Sequence, residues 1–296
     1  MPKALIFGIH GQDGFYLDRL LREKQMEVTG VSRTGGNWLK GDVSDRRFTG
    51  ALIRELRPDY IFHLAANSRT DHELLFEHQG TIVDGTLNIL ETVYHDCPDA
   101  RVFITGSGLQ FENTGDPVGE TNAFAAQDAY SLARIQSVYA GRYFRTKGIR
   151  VYTGYLFHHD SPLRTAQHLN RKIADAAKAA AEGMDVRLEI GDISVEKEFG
   201  FAGDIVRGIY QLVSQDTIFE ACIGTGKAYR IERWLEICFG LANRNWKDHV
   251  LEKQVFKPAF KRLVSDPSLI RSTGWEPTVS IEQLAALMVN LPDSKL

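Results

Sequence analysis

The chain has 296 residues, of which 43% are hydrophobic and 25% are charged, and these proportions exclude a disordered, collagen-like or coiled-coil protein. Its 35 basic and 38 acidic residues give a net charge of −3 without long runs of one sign, so neither nucleic acid nor a membrane surface is an expected partner. The length predicts two units, or one large α/β body with an added lobe.

Short apolar runs alternate with longer segments of helical period along residues 1–160. The predicted strands are Lys3–Phe7, Glu27–Val31, Tyr60–Leu64, Arg101–Ile104 and Val151–Tyr155. The predicted helices are Tyr16–Glu23, Asp45–Leu56, Glu73–Tyr94 and Ala129–Thr146. This order predicts an α/β fold, a Rossmann-type doubly wound parallel sheet, for a dinucleotide-binding domain over 1–160.

The pattern becomes less regular after residue 160. Predicted there are a strand at Val186–Ile190 and helices at Gln167–Glu182, Asp204–Val213, Ile231–Phe239 and Ile281–Val289. We expect residues 161–296 to form mainly a smaller C-terminal substrate-binding lobe, with some chain returning to the first domain.

Three glycines follow the first predicted strand at the spacing GxxGxxG: Gly8, Gly11 and Gly14. The first permits a tight turn, the second lets the backbone approach a pyrophosphate, and the third lets the next helix pack on the strand. The N-terminus of that helix, with Gln12 and Asp13, then faces the phosphates. Because the motif lies between a strand and a helix, it favours dinucleotide binding over an ordinary glycine turn.

The end of the second predicted strand indicates which cofactor is bound. An acidic residue there would bind the ribose 2′-hydroxyl and repel a 2′-phosphate, but this chain has Arg33. A guanidinium suits a phosphate, so NADP(H) is predicted ahead of NAD(H), the alternative being a solvated arginine at a strand end. Further on, Asp42 either accepts a hydrogen bond from the adenine amino group or serves as an acid at a helix N-terminus.

Five motifs along the chain carry a family resemblance. They are GxxGQDG at Gly8–Gly14, HLAANS at His63–Ser68, LFHHDSP at Leu156–Pro162, RKI at Arg171–Ile173 and GWEP at Gly274–Pro277. In these motifs the chain resembles the extended short-chain dehydrogenase/reductase family, and within its nucleotide-sugar branch the GDP-mannose 4,6-dehydratases. The resemblance covers nearly the whole chain. It implies a nucleotide-diphosphate sugar as substrate, with Ala65 and Ala66 at the cofactor and Ser68 at the substrate.

The family's catalytic tyrosine and lysine lie four residues apart, so that both face the nicotinamide from one helix. This chain keeps Tyr130 but has Arg134 at the lysine position. By resemblance, both residues take part in catalysis and contact the cofactor, the cation by binding the nicotinamide ribose. Arginine keeps the positive charge but is bulkier and differently directed, so the exchange is not conservative. An ordinary surface pair on a helix is the alternative.

Two glycines stand where the resemblance expects the groups for dehydration. After the fourth predicted strand, the dehydratases carry a serine or threonine that holds the sugar's 4-hydroxyl, and two positions later a glutamate that removes the C5 proton. Here these positions are Gly106 and Gly108, so the elimination lacks its general acid/base. Ser107 or Thr105 remains as a candidate catalytic hydroxyl.

In the resemblance, the second lobe binds the nucleotide diphosphate. His158 replaces a family asparagine, Lys197 replaces a family arginine, and Lys257 replaces the arginine of an Arg-Pro-x-Glu motif. Arg164 and Arg171 remain as candidate donors to phosphate or base. Each of these residues is alternatively a solvated surface residue.

The dehydratases also have a long basic loop after the second strand that reaches a neighbouring subunit. Only Thr34–Lys40 remains here, so we expect a homodimer through the predicted helices Glu73–Tyr94 and Ala129–Thr146. The three cysteines are widely spaced and predict reduced thiols in the cytoplasm. No signal sequence, membrane span or metal site is predicted.

These observations predict an NADP(H)-dependent enzyme that exchanges a hydride with C4 of a nucleotide sugar. Because the groups for elimination are missing, a 4-reductase or epimerase is favoured over an atypical 4,6-dehydratase of a GDP-mannose-like substrate. The alternative is a catalytically silenced relative that binds cofactor or nucleotide sugar as a sensor or partner subunit.

Overall fold

The structure is a computed structural model that describes residues 1–253 and 258–289. The strands of the first half are β1 (Lys3–Phe7), β2 (Glu27–Ser32), β3 (Leu39–Lys40), β4 (Tyr60–His63), β5 (Arg101–Ser107), β6 (Arg150–Leu156) and β7 (His159–Asp160). Those of the second half are β8 (Leu188–Ile190), β9 (Glu196–Glu198), β10 (Gly200–Phe201), β11 (Glu220–Ile223), β12 (Ala228–Arg230), β13 (Val250–Glu252) and β14 (Arg262–Leu263).

Helices cover both faces of the main sheet and build the second lobe. The helices of the first half are α1 (Gln12–Glu23), α2 (Arg46–Leu56), α3 (Leu75–His78), α4 (Gly85–Asp96) and α5 (Ala129–Arg145). Those of the second half are α6 (Leu169–Ala181), α7 (Ala202–Val213), α8 (Ile231–Leu241), α9 (Ser268–Arg271) and α10 (Ile281–Val289). None of these helices combines the length and apolar character needed to cross a bilayer.

Seven parallel strands form the main sheet in the order β11, β6, β5, β4, β1, β2, β3. The chain runs outward from β1 in one direction through β2 to β3, and then in the other through β4, β5 and β6. This arrangement confirms the predicted Rossmann-type sheet. Ligands of such sheets bind at the carboxyl ends of the strands where the order reverses, which here is between β1 and β4.

Several elements differ from the sequence predictions. β5 continues beyond the predicted end at Ile104, because Thr105, Gly106 and Ser107 pair with β6. The predicted helix Glu73–Tyr94 is present, but its hydrogen-bond pattern changes along its length, from a 3₁₀ turn to α3, a π-helical turn at Gln79–Asp84 and α4. β11 has no counterpart among the predicted strands.

The chain after residue 160 contributes to both parts of the molecule. α7 packs against α1, and β11 pairs with β6, so this segment returns to the main sheet. The second lobe is built mainly by α6, α8 and α10, which pack on one another around a buried apolar cluster. The lobe places β7, β9 and the start of α6 beside the reversal point of the main sheet.

Candidate active site

Adjoining cavities lie at the point where the strand order reverses. Cavity A has a volume of about 410 Å³ and extends from Gly8 to Tyr130. Cavity B has a volume of about 250 Å³ and extends from Gly8 to Arg33 at the end of β2. Cavity C has a volume of about 190 Å³ and meets cavity A at His158 and Lys197. The glycine-rich turn, Tyr130 and the second lobe therefore face connected space.

The turn between β1 and α1 requires glycine at two positions. Gly8 has a φ of +93°, and a Cβ there would lie 2.6 Å from the Ala65 nitrogen. A Cβ at Gly14 would lie 2.5 Å from the Gly8 oxygen, so the helix could not approach the strand. The resulting cradle brings the N-terminus of α1 to cavity A, where backbone N–H groups suit a phosphate.

The first two side chains of α1 bind the second lobe. Gln12 Nε2 donates to the His159 carbonyl at 3.3 Å, and the Ser161 hydroxyl donates to Gln12 Oε1 at 3.0 Å. Asp13 lies 2.9 Å from His159 Nε2. Burial raises the pKa of Asp13, but the ion pair with His159 outweighs burial and the pKa is lowered overall. Gln12 and Asp13 line cavity A, but their side chains hold the two lobes together.

Cavity B contains the other predicted cofactor residues. Ala65 and Ala66 form part of its wall, and Arg33 and Asp42 lie at its rim. Arg33 forms an ion pair with Glu77 at 3.2 Å, and both side chains are partly exposed. Asp42 Oδ1 accepts hydrogen bonds from the amide and the hydroxyl of a nearby serine at 2.9 and 2.8 Å. No acidic residue directly follows β2 in the sequence, but the Glu77 carboxylate lies beside Arg33, so a phosphate bound there would replace it as the partner of Arg33.

Tyr130 and Arg134 are brought together in the first turns of α5. Both are buried, which excludes a solvated surface pair, and both line cavity A. The guanidinium carbon of Arg134 lies 4.9 Å from the centre of the Tyr130 ring, within the range of a cation–π interaction. Arg134 Nη1 donates to the Thr105 carbonyl at 2.6 Å. The arginine is therefore anchored to the end of β5, beside the ring of the tyrosine.

The two candidate hydroxyls at the end of β5 differ in the hydrogen bonds that they already make. The Thr105 hydroxyl donates to the His63 carbonyl at 2.9 Å within the sheet. Ser107 Oγ accepts from the Leu109 amide at 3.2 Å, which leaves its hydrogen available to a ligand. Both residues line cavity A, but Ser107 is the better placed donor.

Aromatic side chains fill the space beside the two glycines. A Cβ at Gly106 would lie 2.5 Å from the Tyr155 ring, and a Cβ at Gly108 would lie 2.8 Å from the Phe157 ring. Among the described residues that line cavity A, the carboxylates are Asp13 and Asp160. Asp13 pairs with His159, and Asp160 lies 3.1 Å from Arg164. No free carboxylate in this lining replaces the missing glutamate.

Two buried histidines to which the sequence gave no role in the site lie near Tyr130 and Arg134. The His78 ring meets the Tyr130 ring edge-on at 5.5 Å, and its Nε2 donates to the Arg69 carbonyl at 2.9 Å. His63 Nε2 donates to a backbone carbonyl at 3.0 Å. Burial lowers the pKa of His63 to about 4, and the charge of Arg134 acts in the same direction. Neither contact has a signal in the local sequence.

The predicted substrate residues are only partly brought together. Ser68, His158, Arg164 and Lys197 line cavity A, and His158 and Lys197 also line cavity C. Burial lowers the pKa of Lys197 to about 8, with Asp160 opposing this effect and Arg164 adding to it. Burial lowers the pKa of His158 well below its usual value, and the nearby cations act in the same direction. The lobe thus presents cations and a neutral imidazole to the cavity.

Arg171 and Lys257 are the remaining substrate predictions. Arg171 does not line any of the three cavities in the described part of the chain. Its guanidinium donates to the Pro162 carbonyl at 2.7 Å and pairs with Asp175 at 2.8 Å. Arg171 thus connects the start of α6 to the preceding loop, so the placement does not favour a substrate contact. Lys257 lies outside the described residues.

Comparisons with known proteins match nearly the whole length of the chain. The family model described as GDP-mannose 4,6 dehydratase matches residues 5–288. The Arabidopsis thaliana protein named GDP-mannose 4,6 dehydratase 1 is 30% identical, over 97% of this chain and 88% of that protein. A structure of RMD from Pseudomonas aeruginosa complexed with NADPH has a TM-score of 0.85 at 19% identity, over 98% of each chain. A Thermotoga maritima UDP-glucose 4-epimerase with UDP-glucose has a TM-score of 0.86 at 18% identity, over 97% of each chain.

Proposed function

The chain belongs to the GDP-mannose 4,6-dehydratase family, and from this membership we propose that it is an NADP(H)-dependent enzyme that exchanges a hydride with C4 of a nucleotide-diphosphate sugar. The observation that carries the proposal is the buried pair of Tyr130 and Arg134 in cavity A, across from the glycine-rich turn. Acid–base chemistry beside a dinucleotide site is what hydride exchange at a carbinol carbon requires.

In this proposal the glycine-rich turn binds the cofactor, and side chains of the chain bind the C4 oxygen and move its proton. The glycine cradle admits a pyrophosphate, and the bound nicotinamide would supply or accept the hydride. Tyr130 gives or takes the proton of the C4 oxygen, and the guanidinium of Arg134 stabilises negative charge on the phenol. The free hydrogen of Ser107 Oγ is available to hold the same oxygen.

The surroundings of Gly108 bear on whether the enzyme dehydrates its substrate. Loss of water across C5 and C6 needs a group that takes the C5 proton, and the expected position holds no side chain. The Phe157 ring occupies the space beside it, and Asp13 and Asp160 are committed to ion pairs. We therefore favour 4-reduction or epimerisation over dehydration.

Turnover separates this proposal from a catalytically silenced relative. The protein should oxidise NADPH when a 4-keto nucleotide sugar is added, or interconvert C4 epimers with a bound cofactor. A silenced protein would bind NADPH and the nucleotide sugar without any product. Absence of reduced product with GDP-, UDP- and dTDP-linked 4-keto sugars, together with absence of C4 epimers from the corresponding GDP-, UDP- and dTDP-sugars, in a protein that binds NADPH, would refute the proposed activity.

The nucleotide diphosphate of the substrate is assigned to the junction of cavities A and C. Lys197 and Arg164 supply positive charge there, and cavity C offers apolar walls that include Phe260 to a base. The His158 ring lies tilted against the Phe260 ring with ring centres 5.6 Å apart, and its buried Nδ1 has no partner among the described residues. A ligand with a polar group at this point would satisfy it.

The lowered pKa of Lys197 predicts a pH-dependent affinity for nucleoside diphosphates. Only the protonated amine attracts the diphosphate, and the free protein loses that proton as the pH rises through about 8. The Kd for GDP or UDP, measured by calorimetry, should therefore rise about tenfold between about pH 7 and about pH 9. A Lys197→Arg variant, which stays charged, should lack this rise. An equal rise in wild type and variant would contradict the assignment.

Arg33 is proposed to contact the 2′-phosphate of NADP(H). A charge-assisted hydrogen bond contributes roughly 1.5–3 kcal/mol, so Arg33→Ala should weaken NADPH binding by about tenfold or more and leave NADH binding nearly unchanged. Fluorescence titration with both cofactors measures this difference. If NADH binds more tightly than NADPH to the unaltered protein, the assignment is wrong.

Exposed apolar side chains on two helices suggest the proposed homodimer. They lie on α4 and α5 and are Leu87, Tyr94, Leu132, Tyr139 and Tyr143. Pairing these helices across a two-fold axis would bury them. The free cysteines fit the cytoplasmic location proposed from the sequence. Native mass spectrometry should give twice the chain mass, together with the mass of any nucleotide that co-purifies.

A further inference from the structure

Cavity A has an apolar wall beside Tyr130. Leu109 packs both against the buried cluster that contains Tyr130 and against the buried cluster that contains Phe157. Gly108 has no side chain, and a Cβ there would lie 2.8 Å from the Phe157 ring. Gly108, Leu109 and Phe157 all line the cavity, and we call the surface that they form the apolar wall. It extends from the proposed proton donor to a phenylalanine that is 3% exposed.

The polar groups nearest to the apolar wall in the chain are engaged elsewhere. The Thr105 hydroxyl donates to a backbone carbonyl at 2.9 Å, and Ser107 Oγ is proposed to hold the C4 oxygen. Gln110 is fully buried, accepts the Ser107 amide hydrogen at 2.8 Å and does not line cavity A. His158 extends to cavity C and is assigned to the nucleotide. The apolar wall itself offers a hydroxyl no side-chain partner.

The neighbours of C4 in a hexose determine which group meets this wall. C4 is bonded to C3 and C5, and C6 is attached to C5. With the C4 oxygen at Tyr130 and Ser107, one of these two sides faces Gly108, which directly follows Ser107. C3 carries a hydroxyl, whereas C6 can be a methyl group, so the C5 side fits an apolar surface better. A methyl group gains from burial there, but a hydroxyl would lose its hydrogen bonds to water.

We propose that the substrate is a 4-keto-6-deoxy nucleotide sugar, whose C6 methyl group packs on the apolar wall, and that Phe157 selects against a 6-hydroxyl. This inference rests on the proposed function, which places the C4 oxygen at Tyr130. C4 gains a hydride from NADPH, its oxygen takes the Tyr130 proton, and water reprotonates the phenol, so the products are NADP⁺ and a 4-hydroxyl. A 4,6-dehydration on another protein must supply this substrate, because Gly108 cannot remove the C5 proton.

The test compares nucleotide sugars that differ only in the 6-hydroxyl. GDP-mannose is paired with GDP-6-deoxymannose, and UDP-glucose and dTDP-glucose are paired with their 6-deoxy forms. Kd is measured by calorimetry with saturating NADPH, which cannot oxidise these alcohols. In the pair whose nucleotide binds, wild type should bind the 6-deoxy sugar about tenfold to about 100-fold more tightly, as expected of an apolar pocket that meets an added hydroxyl. The 4-keto form of that 6-deoxy sugar should then be reduced with oxidation of NADPH.

Phe157→Tyr tests whether the wall causes the selectivity. The Phe157 ring carbon Cζ, to which the new hydroxyl would be attached, lies 3.0 Å from the position of a Cβ at Gly108. The hydroxyl would offer a 6-hydroxyl a partner, so the preference for the 6-deoxy sugar should fall about fivefold or more, with the Kd for NADPH unchanged. The control is Phe76→Tyr, at a phenylalanine that is 85% exposed and outside cavity A, and it should keep the wild-type ratio.

The outcomes separate this inference from the proposed function. Equal affinity for the two members of the pair, or tighter binding of the 6-hydroxy sugar, overturns the inference and leaves the proposed function standing. A folded Phe157→Tyr protein with the wild-type ratio overturns the role of Phe157, and if this variant does not fold, the wild-type ratio decides. A wild type that binds NADPH but none of these nucleotide sugars refutes the proposed function. Selective binding of the 6-deoxy sugar without turnover refutes only the proposed activity.

Discussion

Replacing Tyr130 by phenylalanine is expected to lower turnover of a nucleotide sugar by about 100-fold or more, while NADPH binding and folding stay unchanged. The substitution removes only the hydroxyl that exchanges a proton with the C4 oxygen. The ring keeps its cation–π contact with Arg134, its edge-on contact with His78 and its apolar packing. The effect should therefore appear in kcat, with little change in KM or in the thermal midpoint.

The matched control for this substitution is Tyr139→Phe. Tyr139 lies on the same helix but is exposed, so its hydroxyl has no part in the proposed chemistry. Steady-state rates of NADPH oxidation with a 4-keto nucleotide sugar compare the two variants. A Tyr130→Phe protein that retains the full rate would move the chemistry to another residue.

Incubation with GDP-mannose and catalytic NADP⁺ is expected to give little of the 4-keto-6-deoxy product. General acid/base assistance contributes typically about 10²–10⁴-fold per step, and the position that should supply it is Gly108. A missing side chain at Gly108 is not the only obstacle to dehydration. A Cβ at this position would lie only 2.8 Å from the Phe157 ring, so the ring leaves little room for a side chain. The carboxylates in the described lining of cavity A, Asp13 and Asp160, are held by His159 and Arg164.

Two variants show whether the space beside Gly108 matters. Gly108→Glu alone should not restore dehydration, because its Cβ would lie 2.8 Å from the Phe157 ring. Gly108→Glu combined with Phe157→Leu offers the carboxylate more room and should dehydrate faster than the single variant. Product is measured by mass spectrometry. Prompt formation of the 4-keto-6-deoxy sugar by the unaltered protein would overturn the prediction and require a carboxylate such as Glu112 to reach the substrate.

Features that depend on neighbours in the sequence were determined by the sequence alone. The strand, glycine turn and helix at residues 3–23 are such a local unit, since they follow one another directly and Gly14 packs against Gly8 and Ile9 within it. The family was likewise predicted from short ordered motifs, and the match over residues 5–288 confirms it. Tyr130 and Arg134 are one helical turn apart, so their common face followed from helix periodicity.

Contacts between distant segments were decided only by the tertiary structure. Tyr155 and Phe157 fill the space beside Gly106 and Gly108 because β5 and β6 are adjacent, in a register that the sequence does not specify. His78 meets Tyr130 because α3 packs against α5, two helices that are far apart in the chain. β11, which was not predicted, joins the main sheet as an edge strand by pairing with β6. In each case a side chain's neighbours depend on strand order and helix packing, which arise from the burial of the whole core rather than from local preference.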